Sequence, residues 1–516
     1  MIEDPKDRVL WILVVTAIVA GVFFRLYNLD RKQLGCDETN SANHVSGCAY
    51  EWYRLLCTEN VIEAKDLLAT QRPNYKLGLQ DSIKSLMDME PVHAPIFICI
   101  LFFWARIVGY SVFQLRLLPA LISLLQLPAV YWLCIELSGT QFLAMLAMAL
   151  LALSPTLVLY AQELRDYSLF ALATLVLSAC FLRALRRQTV GSWIVYSIVL
   201  AVALYSSLLT SLVLAGQLIY VLLQKGLKWR GFKYFLAASA TAVFAFSPWL
   251  KVIWDNYTHA SGQINWMATV KVPVSQLVEF WRENFSSAFF DPGNYELPVT
   301  QLLITIILLF EMYAAVAICR KSTRVARFLL VMIGINTLPS VICDLALGGT
   351  RSEFVRYQMA ATIGIIITVA YLFYIKLKDN TRGQQVAWGV AFSIMLLGEL
   401  VSCAISSQAT TWRGKHYGPN CVAIAKILNQ EPGTPLLVTD ASFCMNGRQM
   451  VVLSHMVRPT TKILLLRQLV IPRLDPGVTH FYTYNVCFWS NRFFEEGGFR
   501  VTKVDDIDEF QRVDRK

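Results

Sequence analysis

The apolar residues of this chain come in long blocks separated by short basic loops. Each block approaches the ~20 residues that a helix needs to cross a bilayer. With no water in the hydrocarbon, only helices or closed barrels satisfy their own backbone. The blocks are too long and too Leu-rich for barrel strands. Composition agrees: of 516 residues, 56% are hydrophobic and 16% charged, against roughly a quarter charged in soluble domains. The chain reads as a polytopic α-helical membrane protein. Its net charge of +10 sits mostly in the inter-block loops, where it sets membrane orientation, so nucleic acid is not an expected partner.

Four loops are strongly basic: Arg183, Arg186 and Arg187; Lys225, Lys228, Arg230 and Lys233; Arg320, Lys321, Arg324 and Arg327; Lys376, Lys378 and Arg382. Placing them on the cytoplasmic side with Lys6 and Arg8 forces the blocks to cross in pairs. Eleven spans are predicted: 9–27, 115–136, 141–160, 168–185, 192–207, 210–224, 234–250, 299–319, 327–347, 358–375 and 385–405. The first reads as a retained signal anchor, since it is long for a signal-peptide core. The run from Arg187 to Lys225 must be a hairpin, broken at Ser206, Ser207, Thr210 and Ser211. This topology puts the N-terminus in the cytoplasm and the C-terminus outside. Residues 1–406 form the transmembrane domain, with an external loop at 30–114 and another at 251–298. Within the first loop, Pro95–Val108 and Ala49–Leu68 are expected as interfacial helices. Residues 407–516 are expected as a small extracytoplasmic α/β domain, with strands at 435–439, 462–466, 479–484 and 499–504 and a helix at 420–429.

The twelve cysteines show no CxxC and no zinc spacing. Cys36, Cys48, Cys57, Cys421, Cys444 and Cys487 fall in the external segments, where either disulfides or free thiols are compatible with the sequence. Asn256-Tyr257-Thr258 and Asn284-Phe285-Ser286 are glycosylation sequons. No Walker loop, GxGxxG or HExxH is present, and Asp506-Ile507-Asp508, formally a DxD, reads as a solvated acidic run.

Polar residues gather at the outer end of the spans, where they are costly and therefore informative. Asp37-Glu38 follows the first span; a carboxylate there could accept a proton from an attacking hydroxyl. The pair could also bind a divalent ion, although no dedicated ligand set is visible and no cofactor is implied. His93 lies in Glu90-Pro91-Val92-His93-Ala94-Pro95, and a histidine at a phosphate-rich interface can donate to an anion. Gln162, Glu163, Arg165 and Tyr167 interrupt the apolar sequence after Ser154-Pro155. Arg116 lies near Pro119, and Arg351, Arg356 and Tyr357 open the tenth span. Arginine suits bidentate phosphate contacts. Taken singly, these residues read as loop charges or snorkelling anchors. Together they fit an anionic lipid donor attacked by a neutral hydroxyl.

The order and spacing of these pieces resemble the GT-C-fold glycosyltransferases of the protein O-mannosyltransferase and lipid A aminoarabinose-transferase type. The pieces are Asp37-Glu38, His93-Ala94-Pro95, Arg116-Leu117-Leu118-Pro119, Ser154-Pro155, Gln162-Glu163-x-Arg165-x-Tyr167, Ser247-Pro248-Trp249 and Arg356-Tyr357. The resemblance covers about residues 9–375. It implies a GT-C-like catalytic domain and an inverting transfer of a monosaccharide from a polyprenyl-phosphate carrier to a hydroxyl acceptor. Its many bacterial members imply a bacterial plasma (inner) membrane. By resemblance Asp37 is the general base, Arg165 and Arg356 take the donor phosphate, and Glu163 and His93 line the site. The chain departs from the family at Ser206-Ser207, where relatives often carry a His, and His93-Ala94-Pro95 lacks one of two prolines. The alternatives are a lipid or sugar-lipid transporter, which usually shows repeated halves that are not seen here, and an inactive assembly subunit.

Overall fold

Each of the eleven apolar segments is helical. The computed structural model describes residues 5–47, 60–229, 231–293, 295, 297–412, 420–440, 444–466, 480–484, 494–505, 507 and 509–516. Among these, eight helices are long and apolar enough to cross a membrane: Arg8–Leu26, Val112–Ser138, Tyr167–Arg187, Gly231–Asp255, Pro298–Lys321, Thr323–Leu347, Val355–Asp379 and Arg382–Gln408. The bent pair Gln141–Leu153 and Pro155–Ala161 makes a ninth. Val190–Ser206 and Thr210–Gln224 are also apolar but shorter, at 17 and 15 residues, or about 25 and 22 Å at 1.5 Å per residue. They are separated at the expected polar break. There Ser206 Oγ donates to Val202 O at 2.8 Å and Thr210 Oγ1 to Ala203 O at 2.8 Å. The hydroxyls add second donors to carbonyls of the last helical turn, beside the Ser207 N–H that also reaches Ala203 O at 3.0 Å.

The bent span follows from one residue. Pro155 has no N–H, so Leu151 O loses its helical donor. The next N–H, that of Thr156, turns away to Ser287 O at 3.3 Å. The axis changes direction by 59°, and the carbonyls of Leu151, Ala152 and Leu153 need donors from elsewhere. Arg25 of the first span supplies two: Nη2 donates to Leu151 O at 3.0 Å and Nη1 to Ala152 O. Cys403 of the last span supplies the third, its Sγ–H lying 3.2 Å from Leu153 O. Ser154 Oγ donates to Ala288 O at 2.8 Å.

The expected external loop 251–298 is largely helical, as Tyr257–Thr269 and Val274–Ser286. It docks on the segment before the tenth span: Trp281 Nε1 donates to Ser352 Oγ at 2.9 Å, and Thr350 N to Met267 O at 2.8 Å. Asn284 is 5% exposed and donates to Glu353 O at 2.6 Å. Burial and this bond leave the second sequon unsuited to carry a glycan.

The chain divides into two units. One comprises Met1–Leu29, Leu86–Ile100 and Phe113–Ala409; the other Asp30–Ser85, Leu101–Val112 and Thr410–Lys516. The second is built on a six-stranded sheet of β1 (Val61–Glu63), β2 (Leu436–Asp440), β3 (Lys462–Leu466), β4 (His480–Tyr484), β5 (Phe499–Lys503) and β6 (Phe510–Arg515), ordered β1-β3-β2-β4-β6-β5. The central pairs β2–β3 and β2–β4 are parallel and the outer pairs antiparallel. Leu436, Val438, Leu464, Phe481, Phe494, Phe499 and Val513 form its core. The expected strands are present in β2 to β5, and helix Cys421–Gln430 matches the expected 420–429. β6 escapes a sequence reading because Gln511, Arg512, Asp514 and Arg515 dilute its apolar residues. Residues 95–108 form helix Ile96–Ile107. Of the expected helix at 49–68, residues 49–59 lie outside the described residues, Val61–Glu63 is a strand on β3, and Ala64–Ala69 is a short helix. The edge of β3, distant in sequence, overrides local helical pattern there.

The first span approaches the bend so closely that a Cβ on Gly21 would overlap the carbonyl of Ala152. Gly21→Val is expected to lower stability by about 1–3 kcal/mol through overpacking, measured as a fall in the thermal midpoint of the purified protein in detergent.

Candidate functional site

In the first unit the structure brings Glu90 and His93 to the guanidinium of Arg165. Arg165 follows helix Pro155–Ala161 by four residues and is 4% exposed. Its Nη1 donates to Glu90 Oε2 at 3.2 Å and its Nη2 lies 2.8 Å from His93 Nε2. A guanidinium only donates, so His93 Nε2 is an acceptor and the imidazole carries its proton on Nδ1. His93 thus meets Arg165 rather than offering Nε2–H to an anion. Glu90 sits in the expected motif, but its role as the arginine's counter-charge was not legible there. An ion pair this buried is costly to break on one side, about 3–5 kcal/mol.

Gln162, which ends the short helix, donates through Nε2 to Phe24 O at 2.7 Å and Tyr27 O at 2.9 Å. It therefore clips the chain to the end of the first span. Glu163 is 3% exposed, and its carbonyl accepts from Arg165 N at 2.7 Å. Tyr167 packs edge-on to Tyr160, with ring centroids 5.2 Å apart. Arg116 is wholly buried and donates to Leu29 O at 2.8 Å; it is a structural tie rather than a snorkelling anchor.

The two arginines before the tenth span differ. Arg351 pairs with Asp344 Oδ1 at 2.9 Å and donates to Gly348 O at 2.8 Å. Arg356 is 5% exposed and lies over the rings of Phe354 and Tyr357, 4.6 and 5.2 Å from their centroids. Stacking occupies the face of a guanidinium, whereas anions are bound at its edge. Burial holds the nearby Glu353 carboxyl above the usual carboxylate range, against the opposing charge of Arg356.

Asp37 and Glu38 belong to the second unit, on helix Cys36–Ser46. Every residue of this helix is buried except Asp37, although most of its side chains are polar. Glu38 caps the helix: Gly35 N donates to its Oε2 at 2.7 Å. Asp37 stands in the first turn, where the helix dipole favours negative charge. Farther along, His44 Nδ1 meets Ser85 Oγ at 2.8 Å. Cys36 and Cys421 are buried free thiols. Cys48, Cys57 and Cys487, with the two acids of Asp506-Ile507-Asp508, lie outside the described residues. Among the described residues, no group of three or more His, Cys, Asp or Glu is disposed to hold a metal ion.

Two further buried charges were missed by sequence reasoning: Arg25 in the first span and Glu399 in the last, both wholly buried. The signal was present, since each is an ionisable residue inside an apolar block.

Burial, then the charge of Asp37, pushes the Cys36 thiol up to about 12. It should stay protonated and resist maleimide at pH 8 in the folded protein, then react on unfolding. Mass spectrometry of labelled peptides checks this, and rapid labelling of Cys36 in the native state would contradict it.

Comparison with known proteins follows the same lines. Residues 92–254 match the family model of dolichyl-phosphate-mannose-protein mannosyltransferases. No curated protein matches the sequence. Among solved structures, ArnT from Cupriavidus metallidurans bound to undecaprenyl phosphate is similar at TM-score 0.52 and 13% identity, over 97% of each chain. The Archaeoglobus fulgidus oligosaccharyltransferase gives a TM-score of 0.47 at 12% identity, covering 88% of this chain. This chain spans about 64% of the length of that archaeal protein. The chain thus has a GT-C-type membrane fold and carries, over residues 92–254, the sequence pattern of the dolichyl-phosphate-mannose-protein mannosyltransferases.

Proposed function

We propose that this chain is an inverting glycosyltransferase that moves a monosaccharide from a polyprenyl-phosphate carrier to a hydroxyl acceptor on the extracytoplasmic face of a bacterial plasma membrane. The observation that carries this reading is the buried guanidinium of Arg165, braced by Glu90 and His93 just beyond a broken span. Arg165 and His93 both lie in the stretch that matches the mannosyltransferase pattern. The similar ArnT structure holds undecaprenyl phosphate, which supports a lipid phosphate as the donor class here.

In the proposed reaction Asp37 accepts the proton of the acceptor hydroxyl as its oxygen attacks the anomeric carbon. The bond from that carbon to the phosphate oxygen breaks on the opposite side, and the configuration inverts. The leaving polyprenyl phosphate gains negative charge, which Arg165 and Arg356 offset. Arg165 supplies this charge from a fixed position, with Nη1 donating to Glu90 and Nη2 to His93 Nε2. Arg351, which pairs with Asp344 and caps Gly348 O, is given no part in this step. Glu38 serves the mechanism indirectly, by capping the helix that carries Asp37. The N-terminus is assigned to the cytoplasm and the C-terminus to the outside.

Membranes supplied with labelled polyprenyl-phosphate sugars test the proposal. Native protein should transfer label, and Asp37→Asn at equal expression should lose about 10²–10⁴-fold of the rate, the usual contribution of a general base. Equal transfer by Asp37→Asn would remove that residue from the mechanism. No transfer from any donor would favour a transporter or an assembly subunit.

A further inference from the structure

The last turn of the first span holds both ends of helix Pro155–Ala161. At its start, Arg25 takes the carbonyls of Leu151 and Ala152 that Pro155 and Thr156 leave without helical donors. At its end, Gln162 donates to Phe24 O and Tyr27 O, one residue before and two residues after Arg25. Arg165 comes three residues later. The position of Arg165 is thereby set by one turn of a different helix.

Arg25 carries a full charge at a wholly buried position, and so does Glu399 when ionised. Neither carboxylate oxygen of Glu399 has a hydrogen-bond partner among the described residues. The first and last spans end together, with Asn28 Nδ2 donating to Ser407 O at 3.1 Å. Both run toward that meeting point. Eight residues back from Ser407 is Glu399, and eight back from Asn28 is Ala20, next to Gly21. Helical side chains point back along their own helix, and Arg25 does so, its Nη1 donating to Gly21 O at 3.0 Å. The guanidinium therefore lies at the depth of Glu399, and the two groups interact electrostatically. Cys403, one turn beyond Glu399, reaches the same bend through Leu153 O.

We propose that Arg25 and Glu399 are positioning residues for the donor phosphate: Arg25 fixes the bend that carries Gln162 and Arg165, and Glu399 balances its charge inside the membrane. This rests on the lipid-phosphate reading of Arg165 above. A lone charge in the bilayer is costly, so losing Glu399 draws Arg25 toward water and slackens the bend. Losing Arg25 removes the donors themselves and strands a carboxylate. Neither residue touches the reacting atoms.

The test uses the full chain in lipid nanodiscs with undecaprenyl phosphate as the probe, and only protein that elutes as a folded species. Arg25→Gln and Glu399→Gln should each raise Kd about tenfold. Arg25→Lys keeps the charge but loses the planar fork that serves two carbonyls at once, so its Kd should fall between those of the native chain and Arg25→Gln. The double variant Arg25→Gln/Glu399→Gln should bind no worse than the weaker single variant, because the two act as one couple. Gly216→Leu is a destabilised control, since a Cβ there meets Ile335 Cγ2 at 2.8 Å; its Kd should be unchanged. Native binding by both single variants, multiplied losses in the double, or an equal loss in Gly216→Leu would overturn the positioning role and leave the proposed function standing. Failure of the native chain itself to bind undecaprenyl phosphate would overturn the donor reading, and the positioning role with it.

Discussion

Inside a bilayer every backbone carbonyl must find a donor within the protein, and the organisation around residues 151–156 follows from that requirement. Pro155 deprives Leu151 O of its donor, and the turn of Thr156 N–H to Ser287 does the same for Ala152 O. A helix in water could leave these groups to solvent; one in lipid cannot. The first span meets the need with a guanidinium and the last span with a thiol. Those two contacts join three helices at one bend. Gly21 has no side chain because the backbone of the neighbouring helix occupies that space. The polar stretch from Gln162 to Tyr167 is held where it is as a consequence.

Within the first unit the arginines separate by how their charge is met. Arg351 is matched by Asp344, and Arg116 is spent on Leu29 O. Arg165 shares its charge between Glu90 and an imidazole that must be neutral at the contacted nitrogen. Arg356 is stacked by its face on Phe354 and Tyr357. Ion pairing satisfies a guanidinium electrostatically, whereas stacking holds its orientation and leaves its edge to define what else it binds. Local setting rather than charge matching alone distinguishes Arg165 and Arg356, the pair for which a phosphate role is proposed. It also separates tasks within the acidic pair on the second unit, where Glu38 is committed to a helix cap and Asp37 alone is not buried.

Membrane class and the positions of the apolar helices were legible because bilayer thickness acts on local sequence: a block is long enough or it is not. The hairpin at Ser206 and Thr210 could be placed for the same reason, with charge sidedness added. Helix Cys421–Gln430 and strands β2 to β5 followed from local apolar pattern. Which arginine serves structure and which remains suited to a ligand was not legible. Arg351 and Arg356 stand five residues apart in similar company, and Asp344 tells them apart only after the chain folds back on itself.

The sequence by itself thus determined a multi-span helical membrane protein with polar groups concentrated beyond its spans, because hydrophobic length and loop charge are properties of neighbouring residues. Tertiary structure alone decided that Val61–Glu63 joins β3, that Asn284 is buried, that Glu90 faces Arg165, and that Arg25 completes a helix more than a hundred residues away. Each of these is a contact between distant segments. Its energy comes from satisfying a backbone or charged group that nothing nearby in sequence could satisfy.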